Sequence, residues 1–368
     1  MTVRVIAGDA LARLRELPSE SVHCAVTSPP FYSLRDYGCA GQIGLEPSPE
    51  AYVAALVEVF REVRRVLRFD GTLWLNLGDS YGAQGGGKAA GLYQDKRTGG
   101  ATWESPRKAP NGTKPKDLIG IPWLVAFALR ADGWYLRSEI IWHKSNPMPE
   151  SVTDRPTCAH EKLFLLAKSP RYFYDAEAIK EPSTYPDDNR KARASIDQKR
   201  MPSASVAGIR PGSAIYPSRN KRNVWTITSA PYRGAHFATY PPALVEPCIL
   251  AGTSERGVCR RCGAPHVRVV ENNIVGRKDF DRVDHGNFDA RGLRSSCGHA
   301  DKNTVGWRAS CSCRAALVPA AVLDPFAGAG TTGLVAERLG RDAVLIELNE
   351  AYATMARDRI AGDRQAAA

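Results

Sequence analysis

Residues 321–347 read AVLDPFAGAGTTGLVAERLGRDAVLIE, and their reading decides the fold. Ala321–Leu323 is a short apolar strand, Asp324–Gly330 a glycine loop, and Thr331–Leu339 a helix. Ala343–Ile346 is the next strand, and it ends at Glu347. Glycines at such a turn let backbone amides approach a ligand, and the helix N-terminus that follows favours an anionic group. An acid at the end of the next strand can take both hydroxyls of a ribose. The loop lacks the Gly-Lys-Ser/Thr of a phosphate loop, which argues against nucleoside triphosphate hydrolysis. Gly328, Gly330 and Gly333 do match a dinucleotide fingerprint, so on this motif alone an NAD-linked oxidoreductase stands as an alternative.

Working outward, strand and helix alternate at both ends of the chain. Val3–Ile6 is a strand, followed by a helix carrying Leu11, Leu14 and Leu17, then the apolar strand Val22–Val26. Ser48 and Pro49 start a helix whose apolar residues Val53, Leu56, Val57, Phe60, Val63 and Leu67 recur at helical spacing, with Gly71 as its stop. Further strands are expected at Thr72–Leu77, Tyr135–Trp142 and Lys162–Ala167, and helices at Ile121–Arg130, up to Gly252, and at Ala351–Ile360, with a frayed tail Ala361–Ala368. This alternation predicts an α/β protein, doubly wound around a mostly parallel, Rossmann-like sheet. Residues 82–117 are Gly-, Lys- and Pro-rich without periodicity and read as a mobile loop; 180–222 are polar and basic.

The strand Val22–Val26 runs into Thr27-Ser28-Pro29-Pro30-Phe31. Ligands in open α/β sheets sit at the carboxyl ends of strands. Two prolines make this loop rigid and rich in carbonyl acceptors, Ser28 adds an oxygen, and Phe31 adds a flat apolar face. Acceptors beside an aromatic plate suit an amino group on a planar ring; a Pro-rich turn capping a strand, with Phe31 in the core, is the plainer reading of the same letters.

The two loops together resemble the S-adenosylmethionine-dependent DNA amino-methyltransferases. Thr27–Phe31 is similar to their catalytic motif and Asp324–Thr332 to their cofactor motif, with the catalytic motif first, as in the permuted group called beta. Gly8-Asp9-Ala10-Leu11 resembles the family's adenine-side acid motif, and Trp142–Ser151, His160-Glu161 and His236–Pro242 resemble further blocks. The resemblance implies a methyltransferase sheet bearing an inserted target-recognition region and a small zinc-binding insert. It implies catalytic roles for Ser28, Pro29, Pro30 and Phe31, and cofactor contacts for Asp9, Asp324, Phe326, Gly328, Gly330, Thr331, Thr332 and Glu347. Ser at the first catalytic position is most like the N4-cytosine enzymes, whereas Asp or Asn there is typical of N6-adenine enzymes, the alternative reaction. The target atom is unreachable inside a duplex, so the base must be flipped out, with Phe31 stacking on it. A carbon-5 cytosine enzyme would need a nucleophilic Cys after Pro. Pro247-Cys248 has those letters but lies in an apolar helix pattern, as a structural Cys would.

The resemblance divides the chain into 1–179 (catalytic half), 180–223 (target recognition), 224–255 with 317–368 (cofactor half) and 256–316 (zinc insert). In the last segment Cys259, Cys262, Cys311 and Cys313 form two tight pairs, the pattern of a structural tetrahedral zinc site; Cys297 and His299 are the alternative members. Cys24, Cys39 and Cys158 read as packing residues. Trp103 and Trp225 suit either stacking or core packing. Lys and Arg number 50 against 39 Asp and Glu, a net charge of +11 that favours a polyanionic partner, here double-stranded DNA. The resemblance also admits a homodimer and a separate cognate restriction endonuclease as partners. The 43% hydrophobic fraction supports a true core. No apolar run reaches the ~20 residues of a membrane span, and no signal peptide is visible, so a cytoplasmic location is expected. A reading of another class is a non-catalytic, zinc-containing DNA-binding protein on a methyltransferase-like scaffold.

Overall fold

The structure is a computed structural model, and it describes residues 2–82, 113–183, 218–229, 239–275 and 299–367. Most of the loop 82–117 and of the basic stretch 180–222, together with Trp103 and Cys297, lies outside the described residues. The chain divides into two compact units: Met1–Ala178, Arg222–His266 and Ser310–Ala368 form the first, and Ile179–Lys221 with Val267–Ala309 the second.

The first unit is built on eight strands: β1 (Val3–Ala7), β2 (Val22–Thr27), β3 (Leu67–Leu77), β4 (Tyr135–His143), β5 (His160–Ala167), β8 (Val224–Thr226), β13 (Ala321–Asp324) and β14 (Asp342–Glu347). Their spatial order is β1-β14-β13-β2-β3-β5-β4-β8. The pairings β1–β14, β14–β13, β13–β2, β2–β3 and β4–β8 are parallel, and β5 is antiparallel to both of its neighbours. The helices α1 (Ala10–Glu16), α2 (Pro49–Val66) and α3 (Ile121–Ala131) pack on one another, as do α4 (Pro242–Gly252), α5 (Thr331–Arg338) and α6 (Glu350–Ala367). Alternation along the strands assigns the two layers to opposite faces. Leu323 and Ile346 join the core under α1–α3, whereas Leu345 lies where a side chain at Gly333 of α5 would strike it. The doubly wound sheet expected from the sequence is therefore present. The second unit holds the short antiparallel pair β6 (Glu181–Pro182) and β7 (Ser218–Arg219), together with most of a longer two-stranded ribbon.

Two expectations are corrected. Gly71 does not stop the second helix. α2 ends at Val66, where the Leu67 N–H bonds back to the Val63 carbonyl, and β3 starts at once by pairing Leu67 with Val22. The register then shifts, and Gly71 occupies the irregularity, its missing Cβ leaving room against the His23 carbonyl and Leu67. The tail is not frayed either: α6 runs to Ala367, tied to α5 by Arg338–Asp363 and Arg364–Glu337 ion pairs.

At the amino ends of β2 and β13 the sheet meets a knuckle made by the pair β9 (Val258–Cys259) and β12 (Leu317–Val318). His23 Nδ1 accepts the Ala321 N–H at 3.0 Å, which leaves Nε2 to donate to the Gly263 carbonyl at 3.1 Å. That arrangement requires a neutral ring, and burial, then the Arg68 charge, push the imidazole pKa down to about 4. The unfolded chain takes up this proton near the ordinary value of about 6.5. Stability is thus fully present above that value and is lost as pH falls toward about 4. Unfolding midpoints across this window should fall with acid more steeply for the native chain than for His23→Gln. Equal slopes would dismiss the assignment.

Candidate active site

The register Val322↔Cys24 and Leu323↔Ala25 makes β13 and β2 hydrogen-bonded neighbours, so their carboxyl ends open side by side. Asp324, fully buried, joins them. Its Oδ1 accepts from Thr27 Oγ1 at 2.6 Å and from the Phe326 N–H at 3.1 Å. Its Oδ2 accepts from Thr332 Oγ1 at 2.7 Å and from the Tyr240 hydroxyl at 2.8 Å. Burial raises the Asp324 pKa, and these hydrogen bonds oppose the rise. Burial, then the Asp324 charge, push the Tyr240 phenol well above its ordinary range, so it stays a donor. The carboxylate therefore acts on the loops around it. Thr332 is likewise buried, and Thr331 Oγ1 accepts from Arg359.

The glycine loop is held open by two left-handed residues, Gly328 (φ +50°) and Gly330 (φ +74°). A Cβ on Gly330 would lie 2.8 Å from that of Ala356, so α6 packs directly on the turn. Glu347 Oε2 accepts the Gly328 N–H at 2.7 Å, and Oε1 accepts the Asn349 N–H at 2.9 Å. Burial is the largest cause of its raised pKa. Each oxygen retains a lone pair, enough for a pair of ribose hydroxyls. The Gly8 N–H bonds to the Glu347 carbonyl at 2.9 Å, which sets Asp9 beside it; Asp9 also caps α1 through the Ala12 N–H at 2.8 Å.

The Ser-Pro-Pro-Phe loop is fixed from three sides. The buried Tyr52 donates to the Pro30 carbonyl at 2.8 Å, and Ser80 Oγ donates to the Tyr32 carbonyl at 2.8 Å. The Phe31 ring packs against Gly78, where any Cβ would sit 2.4 Å from a ring carbon. Asn76, on β3 and buried, gives its amide hydrogens to the Lys162 carbonyl at 3.3 Å, so its Oδ1 faces Ser28. Ser28 Oγ is 2.9 Å away and must be the donor. Its lone pairs are left for an incoming N–H. Sequence reading named Ser28–Phe31 but missed Asn76, Gly78 and Tyr52, which act from other parts of the chain; Tyr240 belongs to the block His236–Pro242, whose first residues lie outside the described ones, and its bond to Asp324 was not foreseen.

Cys248 is fully buried and donates to the Leu244 carbonyl at 3.2 Å, as expected of a structural thiol. Trp225 packs against Trp74 in the core. Cys158, expected to pack, is exposed instead. It lies in a stretch without regular structure that leads into β5, so no apolar face claims it.

Among the described residues, Cys259, Cys262, Cys311 and Cys313 bring their sulfurs within 4.8 Å of one another. The Cys262 N–H pulls the Cys259 pKa down to about 6, whereas side-chain hydrogen bonding to Cys262 pushes Cys313 up to about 12. Four thiolates this close repel, and a cation is what lets all ionise. The buried Arg68 donates to the Cys262 carbonyl, and His23 to that of Gly263, so the knuckle is bound to the sheet.

No helix among the described residues is long and apolar enough to cross a membrane. The sequence matches the family model for N6/N4 DNA methylases over residues 22–260 and 319–358. It is 40% identical to the Type II methyltransferase M.SmaI of Serratia marcescens over 357 residues, 97% of this chain and 90% of that protein. In fold it is similar to the PvuII DNA methyltransferase (cytosine-N4-specific), with a TM-score of 0.53 and 16% identity over 99% of this chain and 91% of that one. It is also similar to a Thermus thermophilus protein complexed with S-adenosyl-L-methionine, with a TM-score of 0.50 and 21% identity over 98% and 94% of the two chains. With the two loops joined at Asp324 and a family model spanning most of its length, the chain belongs to the S-adenosylmethionine-dependent DNA amino-methyltransferases.

Proposed function

We propose that this chain methylates the exocyclic N4 amine of cytosine within a specific sequence of double-stranded DNA. The observation that carries the reading is Ser28, whose proton is engaged by Asn76 and whose oxygen remains an acceptor beside the rigid Pro29-Pro30 turn. An exocyclic amine is a poor nucleophile, because its lone pair is delocalised into the ring. Accepting its two hydrogens at Ser28 Oγ and the Pro29 carbonyl draws the nitrogen toward tetrahedral geometry and frees that pair. Pro30 contributes rigidity, since its own carbonyl is held by Tyr52. Phe31, held against Gly78, stacks on the extruded base. The proton leaves after transfer, so a strong base is not needed, and alignment supplies much of the rate.

The sulfonium methyl comes from S-adenosylmethionine, whose adenosine the loop Gly328–Thr332, Glu347 and Asp9 would hold. Residues fit this group: two positive-φ glycines open the turn, and Glu347 keeps acceptor capacity for a ribose. Base-resolution mapping of modified positions in DNA from cells expressing the chain tests the reading. N4-methylcytosine in one sequence context supports it, and N6-methyladenine would transfer the same geometry to the alternative substrate.

The four-cysteine cluster is read as a structural zinc site, since four sulfurs leave no open position for water. Purified protein should contain about one zinc per chain. Stripping it, or Cys262→Ser, should lower the melting temperature by several degrees, because the knuckle loop then loosens on Arg68 and His23. Metal-free protein that melts at the native temperature would refute the assignment.

A further inference from the structure

We propose that the hairpin formed by β10 (His266–Val275) and β11 (His299–Ala309) is a DNA-contacting arm whose base is clamped by the four-cysteine site. The proposal rests on the chain being a DNA methyltransferase, and it gives the cysteine insert a part in substrate binding. Three observations support it.

The first is connectivity. β10 starts four residues after Cys262, and β11 ends two residues before Cys311. A single ion held by both cysteine pairs therefore ties the two stems of the ribbon together. Ser310 Oγ donating to the Pro265 carbonyl at 2.6 Å, and Ser254 Oγ to that of His266 at 2.6 Å, fix the same stems.

The second is charge. The unit formed by Ile179–Lys221 and Val267–Ala309 has 17 Lys and Arg against 10 Asp and Glu. It thus holds +7 of the net +11 in fewer than a quarter of the residues, and the larger unit is nearly balanced for its size. The hairpin belongs to the same compact unit as the basic stretch 179–221. Five of those seven charges lie in 179–221 and two in 267–309, so the ribbon itself is only slightly basic but shares its unit with a strongly basic stretch. Charge so concentrated fits a polyanion, and a two-stranded ribbon fits the major groove of a duplex.

The third is the chemistry of the ribbon itself. The Arg268 guanidinium lies over the Trp307 ring at 4.4 Å and donates to Thr304 Oγ1 at 3.1 Å. The stack holds a planar cation and a half-buried indole in one orientation, which lowers the entropy cost of engaging a phosphate. Arg308 beside them is exposed, as are Asn303 and Thr304.

The test measures binding of a fluorescent random-sequence duplex over a salt series, with S-adenosylmethionine affinity and melting temperature in parallel. Two variants are compared with the native protein: Arg308→Glu, an exposed change, and Arg268→Ala combined with Trp307→Ala. Each should weaken DNA binding by about tenfold, and the double-logarithmic salt slope should fall by about one per lost phosphate contact. Cofactor affinity and melting should not move, and Arg308→Lys should bind as the native chain does. If the double variant melts early, Arg308→Glu decides alone. Native affinity and slope in Arg308→Glu overturn the proposal. A native protein that binds DNA but transfers no methyl would instead overturn the functional reading, so the two failures are distinguishable.

Discussion

Ser28→Ala should lower methyl transfer by about a hundredfold or more while leaving S-adenosylmethionine affinity at the native level. The hydroxyl is half-buried and held by the Asn76 amide, so removing it deletes one of the two acceptors for the amine and little else. The loop keeps its shape through Tyr52, Ser80 and Gly78. Asn76→Leu should have a smaller effect of the same kind, because Ser28 remains but its proton is free to turn toward the substrate and oppose the incoming N–H. Single-turnover transfer of a tritiated methyl group, with calorimetric titration of the cofactor, separates chemistry from binding. Turnover at the native rate in Ser28→Ala, or loss of cofactor binding in its place, would end the assignment.

Asp324→Ala should have the largest effect on the fold. Four donors converge on this fully buried carboxylate, from Thr27, Thr332, Tyr240 and the Phe326 backbone, and Thr27 and Thr332 are themselves buried. An unsatisfied buried donor costs roughly 1–3 kcal/mol. The hydroxyls can re-pair in part (Thr332 already has the Val26 carbonyl at 3.3 Å), so a loss of about 3–5 kcal/mol is expected. The cofactor should bind at least about tenfold more weakly, because the same carboxylate fixes the start of the glycine loop. Tyr240→Phe removes one donor without stranding a charge and should cost about 1 kcal/mol. Urea unfolding and cofactor titration measure both. Native stability in Asp324→Ala would show that the four contacts do not hold the two loops.

The parts that sequence reading reached are those written in contiguous letters. Strand, glycine turn and helix follow one another within 321–339, and the loop Thr27–Phe31 caps a strand whose apolar run is plain. The missed residues act from other elements. Asn76 reaches Ser28 from β3, and Tyr52 reaches the Pro30 carbonyl from α2, so neither lies near the motif that it supports. Gly71 misled for a related reason. A glycine after a helical pattern looks like a stop, but the space it leaves is needed by the backbone of His23 on the neighbouring strand. The tail misled because its helix is secured by charges on α5, which no local propensity reveals.

Strand order also dictates the order of assembly. β1 pairs with β14, about 340 residues away in the chain, whereas β2 has the nearby β3 as one partner and β13, about 300 residues away, as the other. Without β14, β1 has no hydrogen-bonded neighbour in this sheet. Such long-range pairing slows folding. The glycine loop after β13 and the Ser-Pro-Pro-Phe loop after β2 therefore come together only through a pairing that closes about 300 residues of chain.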